Sequence, residues 1–477
     1  MSFTSITFIF YFLPVFLLIY LLVPSTTAKN VCLLFASLVF YAWGEMSFTA
    51  VLLVSIALNY VAGYLISRTH GAARHIVLAA GITLNVGMLS AFKYTTFVFG
   101  TLAPALETAN VFIRVGRIHL SLGISFFTFK AISYLVDLHR QHARFERNPI
   151  SFATYLAMFP QLAAGPIMRF PDIQDALSSR SVGLSGFRLG VEMFIVGLGQ
   201  KLLVANVLAA PVDAAFSLPA TALSGGVAWL GALCYTLQVY VDFAGYTNMA
   251  IGLGHMLGFK FPANFNYPYI AESITDFWKR WHITLSTWFR DYLWFPLGAS
   301  RKGMLRAYLN LLIVFGLCGL WHGAAWQFLA WGLLHGASLV AERAGLLRIL
   351  LRVPRPLRTA YALVVVITGW VLFRADSMAH AGRYLSAMVR LPAGDGIHDV
   401  VQYLFPETVL AMAAGVVLSA PCIRALKVYI ATWSPAISNV GAFPVATLRG
   451  ASLLVILGLS VMALAATSHN PFIYFRF

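Results

Sequence analysis

Between Leu309 and Val340 the chain runs for 32 residues without Asp, Glu, Lys or Arg. Beyond Asn310 at its start, the run is broken only by His322, Gln327 and His335 as strongly polar residues. A straight helix of that length would be about 48 Å long, well beyond the roughly 30 Å of bilayer hydrocarbon. Both flanks are basic: Arg301, Lys302 and Arg306 precede it, and Arg343, Arg348, Arg352, Arg355 and Arg358 follow. With both flanks on the cytoplasmic side the run must turn back, and Gly316, Gly319 and Gly323 are the candidate break points.

Similar apolar runs recur along the 477 residues, which are 60% hydrophobic and only 10% charged. Soluble domains carry roughly a quarter charged residues, and no series of short alternating strands suggests a barrel. The expected fold is all-α, a polytopic integral membrane protein read as one domain over residues 1–477. Roughly eleven to thirteen membrane segments are expected, re-entrant or interfacial helices included. The first run, Ile6 to Val23, lacks a basic leader and reads as a retained span. Val31 to Ile66 reads as two helices interrupted at Gly44–Glu45. Lys29, then Arg68 and Arg74, then Arg140, Arg144 and Arg147 agree on one orientation with these loops inside. Ile150 to Pro166 is short and broken by Pro160, Gly165 and Pro166, which suggests a re-entrant segment. Arg374 to Val400 reads as a polar loop.

Net charge is +16. In a soluble chain that would raise nucleic acid as a partner. Here the basic residues cluster between apolar runs, where they set topology and meet anionic headgroups. Cys32, Cys234, Cys318 and Cys422 are far apart, without metal or redox spacing, and read as small core residues. No phosphate loop, nucleophile elbow, zinc-protease motif or metal cluster occurs, which argues against an ATP-driven machine or a membrane metalloprotease, and no metal site is expected.

Aromatic and charged residues concentrate in FPANFNYPYIAESITDFWKRWHITLSTWFRDYLWFPLG, which begins at Phe261. Ser273 to Asp276 fits a capping box that starts a helix. Ile274, Phe277, Trp278, Trp281, Leu285, Trp288, Phe289 and Tyr292 recur along it at three- and four-residue steps. Asp276, Lys279, Arg280, Thr284, Thr287, Arg290 and Asp291 form the other face, with Asp276 and Arg280 spaced to pair. The pattern suits an amphipathic interfacial helix, whether anchor or working part. His282 falls on its aromatic side.

His322 is the stronger chemical candidate, because an ionisable residue at membrane depth is costly. Gly323, Ala324 and Ala325 let another group approach it, and a neutral imidazole in a dry site is a good general base. A structural hydrogen bond is the alternative for both histidines. His335 reads as structural. Asp242 is also intramembrane, and it could pair with a cation, orient a histidine or bind a polar substrate. Lys130 and Glu192 lie nearer run ends, where side chains snorkel.

QVYVDFAGYTNMAIG, the long aromatic stretch from Asn264 to Gly298, and GLWHGAAWQFLAWGLLHG together resemble the membrane-bound O-acyltransferases. The likeness is to the bacterial branch of alginate O-acetylation. YLAMFPQLAAGPIMRF and the terminal PFIYFRF belong to the same resemblance. It implies a helical enzyme of the cell inner membrane with a tunnel through the bilayer. It implies His322 as the family's catalytic histidine and His282 as its second functional position. It also implies a cytosolic acyl donor such as acetyl-CoA as co-substrate, no bound cofactor, and a periplasmic or membrane-anchored partner protein. The partner would carry the acetyl group to an exported polysaccharide. Asp242, Trp278, Trp281, Trp321 and Trp326 are then candidates for the tunnel wall, where they would keep water from the thioester.

Acetylation of cellulose or peptidoglycan, and D-alanyl transfer to teichoic acid, are related alternatives. A polysaccharide transporter would use Asp242, His282 and His322 as a path, although no internal repeat of the transporter kind occurs. A secretion scaffold would leave the histidines unexplained.

Overall fold

The computed structural model describes residues 1–108, 122–301, 303–391, 394–422 and 442–466. Leu120 and Ser121, which open an apolar run expected to span from Leu120 to Leu138, Lys302, and the terminal PFIYFRF lie outside the described residues. Those described fold into helices α1 Leu13–Leu22, α2 Thr26–Glu45, α3 Thr49–Arg68, α4 Gly71–Lys93, α5 Thr95–Thr108, α6 Ile124–His139, α7 Pro149–Ala157 and α8 Phe159–Leu162. After α9 Gln174–Ser178 come α10 Leu184–Gly199, α11 Asn206–Ser217, α12 Gly225–Met256, α13 Ile274–Arg280, α14 Ile283–Phe289, α15 Met304–His322 and α16 Trp326–Ala341. The last are α17 Leu347–Leu350, α18 Arg355–Arg374, α19 Met378–Arg390, α20 Pro406–Ser419 and α21 Ala442–Ala466. No strand occurs among the described residues. Among the described residues, seven continuous helical stretches are long and apolar enough to cross a membrane, and shorter apolar helices join them. Large apolar side chains such as Leu22, Trp43, Leu454 and Met462 lie exposed on their outer faces. With no water to satisfy the backbone, such exposure suits lipid.

Two compact units are present. The first comprises Met1–Val191 with Ala250–Pro262. In it α2 and α3 meet at Glu45, whose φ of −138° and ψ of 46° end the first helix. Asn59 and Asn85 exchange hydrogen bonds of 3.1 and 2.7 Å between α3 and α4, polar glue of the kind apolar surroundings favour. The re-entrant candidate forms α7 and α8, which turn at Met158 and are buried from Ser151 to Leu162, so its broken backbone is shielded by protein. Lys130 does not snorkel. It is buried, with Nζ 3.1 Å from Gln161 Oε1 and over the Tyr155 ring, because α6 is enclosed.

The second unit comprises Glu192–Met249 with Ala263–Phe477. Here the 32-residue apolar run turns back, and the turn is at Gly323–Ala325, between α15 and α16. Gly316 and Gly319 lie within α15 and do not break it. Gly319 instead lets the two backbones touch. A Cβ there would stand 2.2 Å from the Phe328 carbonyl oxygen, and one on Gly332 would stand 2.1 Å from that of Phe315. Glu192 pairs with Arg449 on α21. The expected polar loop after Arg374 holds α19, an amphipathic helix capped by Ser377. Cys318 and Cys234 are buried as expected, but Cys422 is exposed beyond the end of α20.

Candidate functional site

The interfacial stretch is not one helix. Ser273 Oγ accepts the Asp276 amide at 3.0 Å and starts α13, and Arg280 Nε pairs with Asp276 at 2.9 Å. The helix then stops, because His282 adopts φ 42° and ψ 54°. This left-handed conformation is costly for a side chain with a Cβ. Periodicity continues through the break, which is why sequence alone reads it as continuous. The His282 ring is fully buried, and its Nδ1 accepts the Leu285 amide at 3.2 Å, capping α14. A neutral ring with Nδ1 accepting carries its proton on Nε2. Burial pushes this imidazole down to about 3, and it stays neutral.

His322 closes α15 and is buried. Three rings meet it edge to face: Trp321 at 4.8 Å, Trp331 at 4.9 Å and Phe373 at 5.3 Å. Trp321 also meets His282 at 6.4 Å, so one indole lies against both histidines. Gly323 is what allows the crowding, since a Cβ there would fall 2.1 Å from the Phe328 ring. His335 packs between Phe277, Trp278 and Trp331.

Two cavities lie near this cage, and neither includes His322 or His282 in its lining. The first, about 600 Å³, is lined by Trp278, Ile283, Leu311, Phe315, Cys318 and Leu339, with cations from Lys279, Arg290 and Arg343. Cys318 is one helical turn before His322. The lining's one carboxylate, Glu342, is buried and committed to hydrogen bonds. It accepts from the amides of Ile274 and Thr275, the Thr275 hydroxyl and Tyr361. The second cavity, about 470 Å³, is lined by Asp213, Tyr235, Gln238, Gln327, Phe373 and Arg374 among others. Tyr361 and Phe373 lie on the same helix, α18, twelve residues and therefore about 18 Å apart along its axis. The cavities thus sit towards opposite ends of α18, and Phe373 belongs both to the second cavity and to the cage around His322.

The other sequence candidates are placed differently. Trp278 lines the first cavity. Trp281 is buried in a ring cluster with Phe277, Phe265 and Trp370. Trp326 is 53% exposed at the start of α16. Asp242 is buried against Lys201, with Nζ 2.6 Å from Oδ1. Neither cavity includes Trp281, Trp321, Trp326 or Asp242 in its lining. Sequence reasoning passed over Trp331, Phe373 and Glu342. Trp331 has a visible signal, a four-residue step to His335 on the same helix face.

Among the described residues no group of His, Cys, Asp and Glu could hold a metal ion. The arrangement offers two buried imidazoles, a basic and largely apolar cavity, and a polar one.

Residues 35–379 match the model of the membrane-bound O-acyltransferase family. The chain is 39% identical over 510 aligned residues to the probable alginate O-acetylase AlgI of Azotobacter vinelandii, covering all of both chains. It is 36% identical to the peptidoglycan O-acetyltransferase of Helicobacter pylori, over 82% of this chain and 80% of that one. It is 31% identical to the teichoic acid D-alanyltransferase of Bacillus subtilis, over 46% and 58%. An aromatic cage holding a buried histidine, an all-helical membrane body and these likenesses have one reading in common: the chain belongs to the membrane-bound O-acyltransferase family.

Proposed function

We propose that this enzyme transfers an acetyl group from a cytosolic thioester of the acetyl-CoA kind to a hydroxyl presented from the other side of a bacterial inner membrane. The transfer serves O-acetylation of an exported polysaccharide such as alginate, through a periplasmic or membrane-anchored partner protein. The observation that carries this reading is His322 in an aromatic cage whose Phe373 also lines the second cavity, with His322 itself on the same helix as Cys318, which lines the first. Full-length similarity to an alginate O-acetylase favours acetyl over D-alanyl transfer, where the likeness spans 46% of the chain.

In this mechanism the donor's acyl end enters the first cavity, whose lysine and two arginines suit an anionic headgroup. His322 takes the proton of the acceptor hydroxyl. The oxygen attacks the thioester carbonyl, the C–O bond forms, the C–S bond breaks, and the thiolate leaves with the proton from His322. His282 holds the wall against Trp321 and keeps its own ring neutral. Excluding water protects the thioester from hydrolysis.

The test is His322→Ala in the purified enzyme with a labelled acetyl thioester. Transfer should fall at least about 10²-fold, the scale of a lost general base. The amount of protein in the membrane should not change. Wild-type transfer by that variant would end the proposal.

A further inference from the structure

The two cavities carry opposite electrostatic characters. Lys279, Arg343 and Arg290, the last paired with Asp291 at 2.7 Å, line the first beside a single, internally bonded carboxylate. In the second, two carboxylates, Asp213 and Asp376, face one guanidinium, Arg374. That guanidinium is already matched. Its Nη2 donates to Asp213 Oδ1 at 2.6 Å, its Nη1 lies 3.9 Å from Asp376, and its plane rests over the Phe216 ring at 5.3 Å. Asp376 also lies 3.8 Å from the His380 ring. The rest of the polar lining is neutral: Gln238, Gln327, Ser217 and the Tyr235 hydroxyl, beside the faces of Phe216 and Phe373.

This mixture suits one ligand chemistry. A hydroxyl both donates and accepts, so it is satisfied by a set in which carboxylates accept, a guanidinium donates and amides do both. Aromatic faces shelter the carbon side of such a group. An anionic ligand would meet two carboxylates and a cation whose charge is already spent. Displacing Asp213 to reach Arg374 would strand a carboxylate.

We propose that the second cavity seats the acceptor and selects a neutral, hydroxyl-bearing group over an anionic one, with Asp213, Asp376 and Arg374 as the specificity-determining residues. The proposal rests on the reading of His322 as the base, since Phe373 joins the cavity to the His322 cage. It adds that a polyanionic polysaccharide is not the direct acceptor. The first hydroxyl to receive the acetyl group is then on a neutral carrier. The step balances as above: the acceptor O–H proton passes through His322 to the departing thiolate.

Binding can be measured apart from turnover. The full-length enzyme in nanodiscs, without donor, is titrated with a β-1,4-linked mannose disaccharide and with its uronic acid counterpart, which differ only at C6. Saturation-transfer NMR reads both. The neutral sugar should bind at least ten-fold more tightly. Asp213→Asn frees Arg374 and should raise uronate binding several-fold. Asp376→Asn, at an 82% exposed side chain that the fold does not depend on, should do the same more weakly. Equal or tighter uronate binding by the wild type, no binding of either sugar, or no change in both variants would each overturn the proposal. Donor hydrolysis without acceptor, compared between the wild type and His322→Ala, tests the catalytic reading separately. Loss of that reading would leave the binding preference intact.

Discussion

The carboxylate of Glu342 accepts the backbone N–H of Ile274 at 2.6 Å, tying the end of α16 to the first turn of α13. The same group accepts the Thr275 amide at 2.9 Å and its hydroxyl at 2.6 Å. Glu272 adds ion pairs of 2.9 Å to Arg355 and Arg358 of α18. The helix that carries Trp278 and Lys279 into the first cavity is therefore clamped at its N-terminal end. Glu342→Ala leaves two backbone donors without their acceptor and should cost roughly 3 kcal/mol. Glu342→Gln, which keeps one acceptor oxygen, should cost about half. Thermal unfolding in detergent gives the order of the two. The donor KM should rise in both, because the cavity wall loosens.

The Lys201–Asp242 pair should behave as a structural unit. Lys201→Met alone leaves a buried carboxylate without its cation, at a cost of roughly 3 kcal/mol or more. The double variant Lys201→Met with Asp242→Leu should regain most of that stability and most of the transfer activity. A double variant that is stable but inactive would return Asp242 to the substrate path.

His282 combines a cap with a strained backbone, and the two can be separated. Asn accepts left-handed φ more readily than other residues and supplies a capping oxygen. His282→Asn should therefore be about 1 kcal/mol more stable than His282→Ala. Acyl transfer measured on both reads the imidazole itself. Full activity in the Asn variant would reduce His282 to a capping role.

The same residue predicts a pH dependence. Its folded pKa is lowered to about 3 from 6.5 by burial, so below 6.5 the unfolded chain takes up the proton first. Stability is complete above the unfolded value and declines as pH falls from 6.5 towards 3. The unfolding midpoint should drop between pH 7 and 4.5, and His282→Asn should flatten that drop. An unchanged slope would mean that the ring already binds a proton when folded.

Two glycines of α15 should respond oppositely. Gly319→Ala drives a Cβ to 2.2 Å from a backbone oxygen and should part α15 from α16, displacing His322 and lowering both yield and activity. At Gly316 the nearest atoms are the Leu329 and Leu333 side chains, 3.6 and 3.7 Å away, so Gly316→Ala should be tolerated. Helix propensity should even favour it slightly.

Much was legible in the chain before any coordinates. A 32-residue uncharged run between two basic flanks was expected to turn back if both flanks share one side, and the chain turns next to His322. The Ser273 cap, the Asp276–Arg280 pair and the place of His282 among the aromatic residues followed from spacing. The break at His282 did not, because the apolar period runs on through a single residue of left-handed backbone.

What the amino-acid sequence determined by itself was therefore local and collective: apolar runs long enough to demand a membrane, and the aromatic and charged stretches in which His282 and His322 stand. Only the tertiary structure decided which distant residues share a space. Phe373 reaches His322 across 51 positions of chain, Glu342 reaches Ile274 across 68, and Arg374 reaches Asp213 across 161. Periodicity reports the face a residue occupies on its own helix. The partner that face meets depends on how helices cross, and that is set by close contacts such as Gly319 against the Phe328 carbonyl.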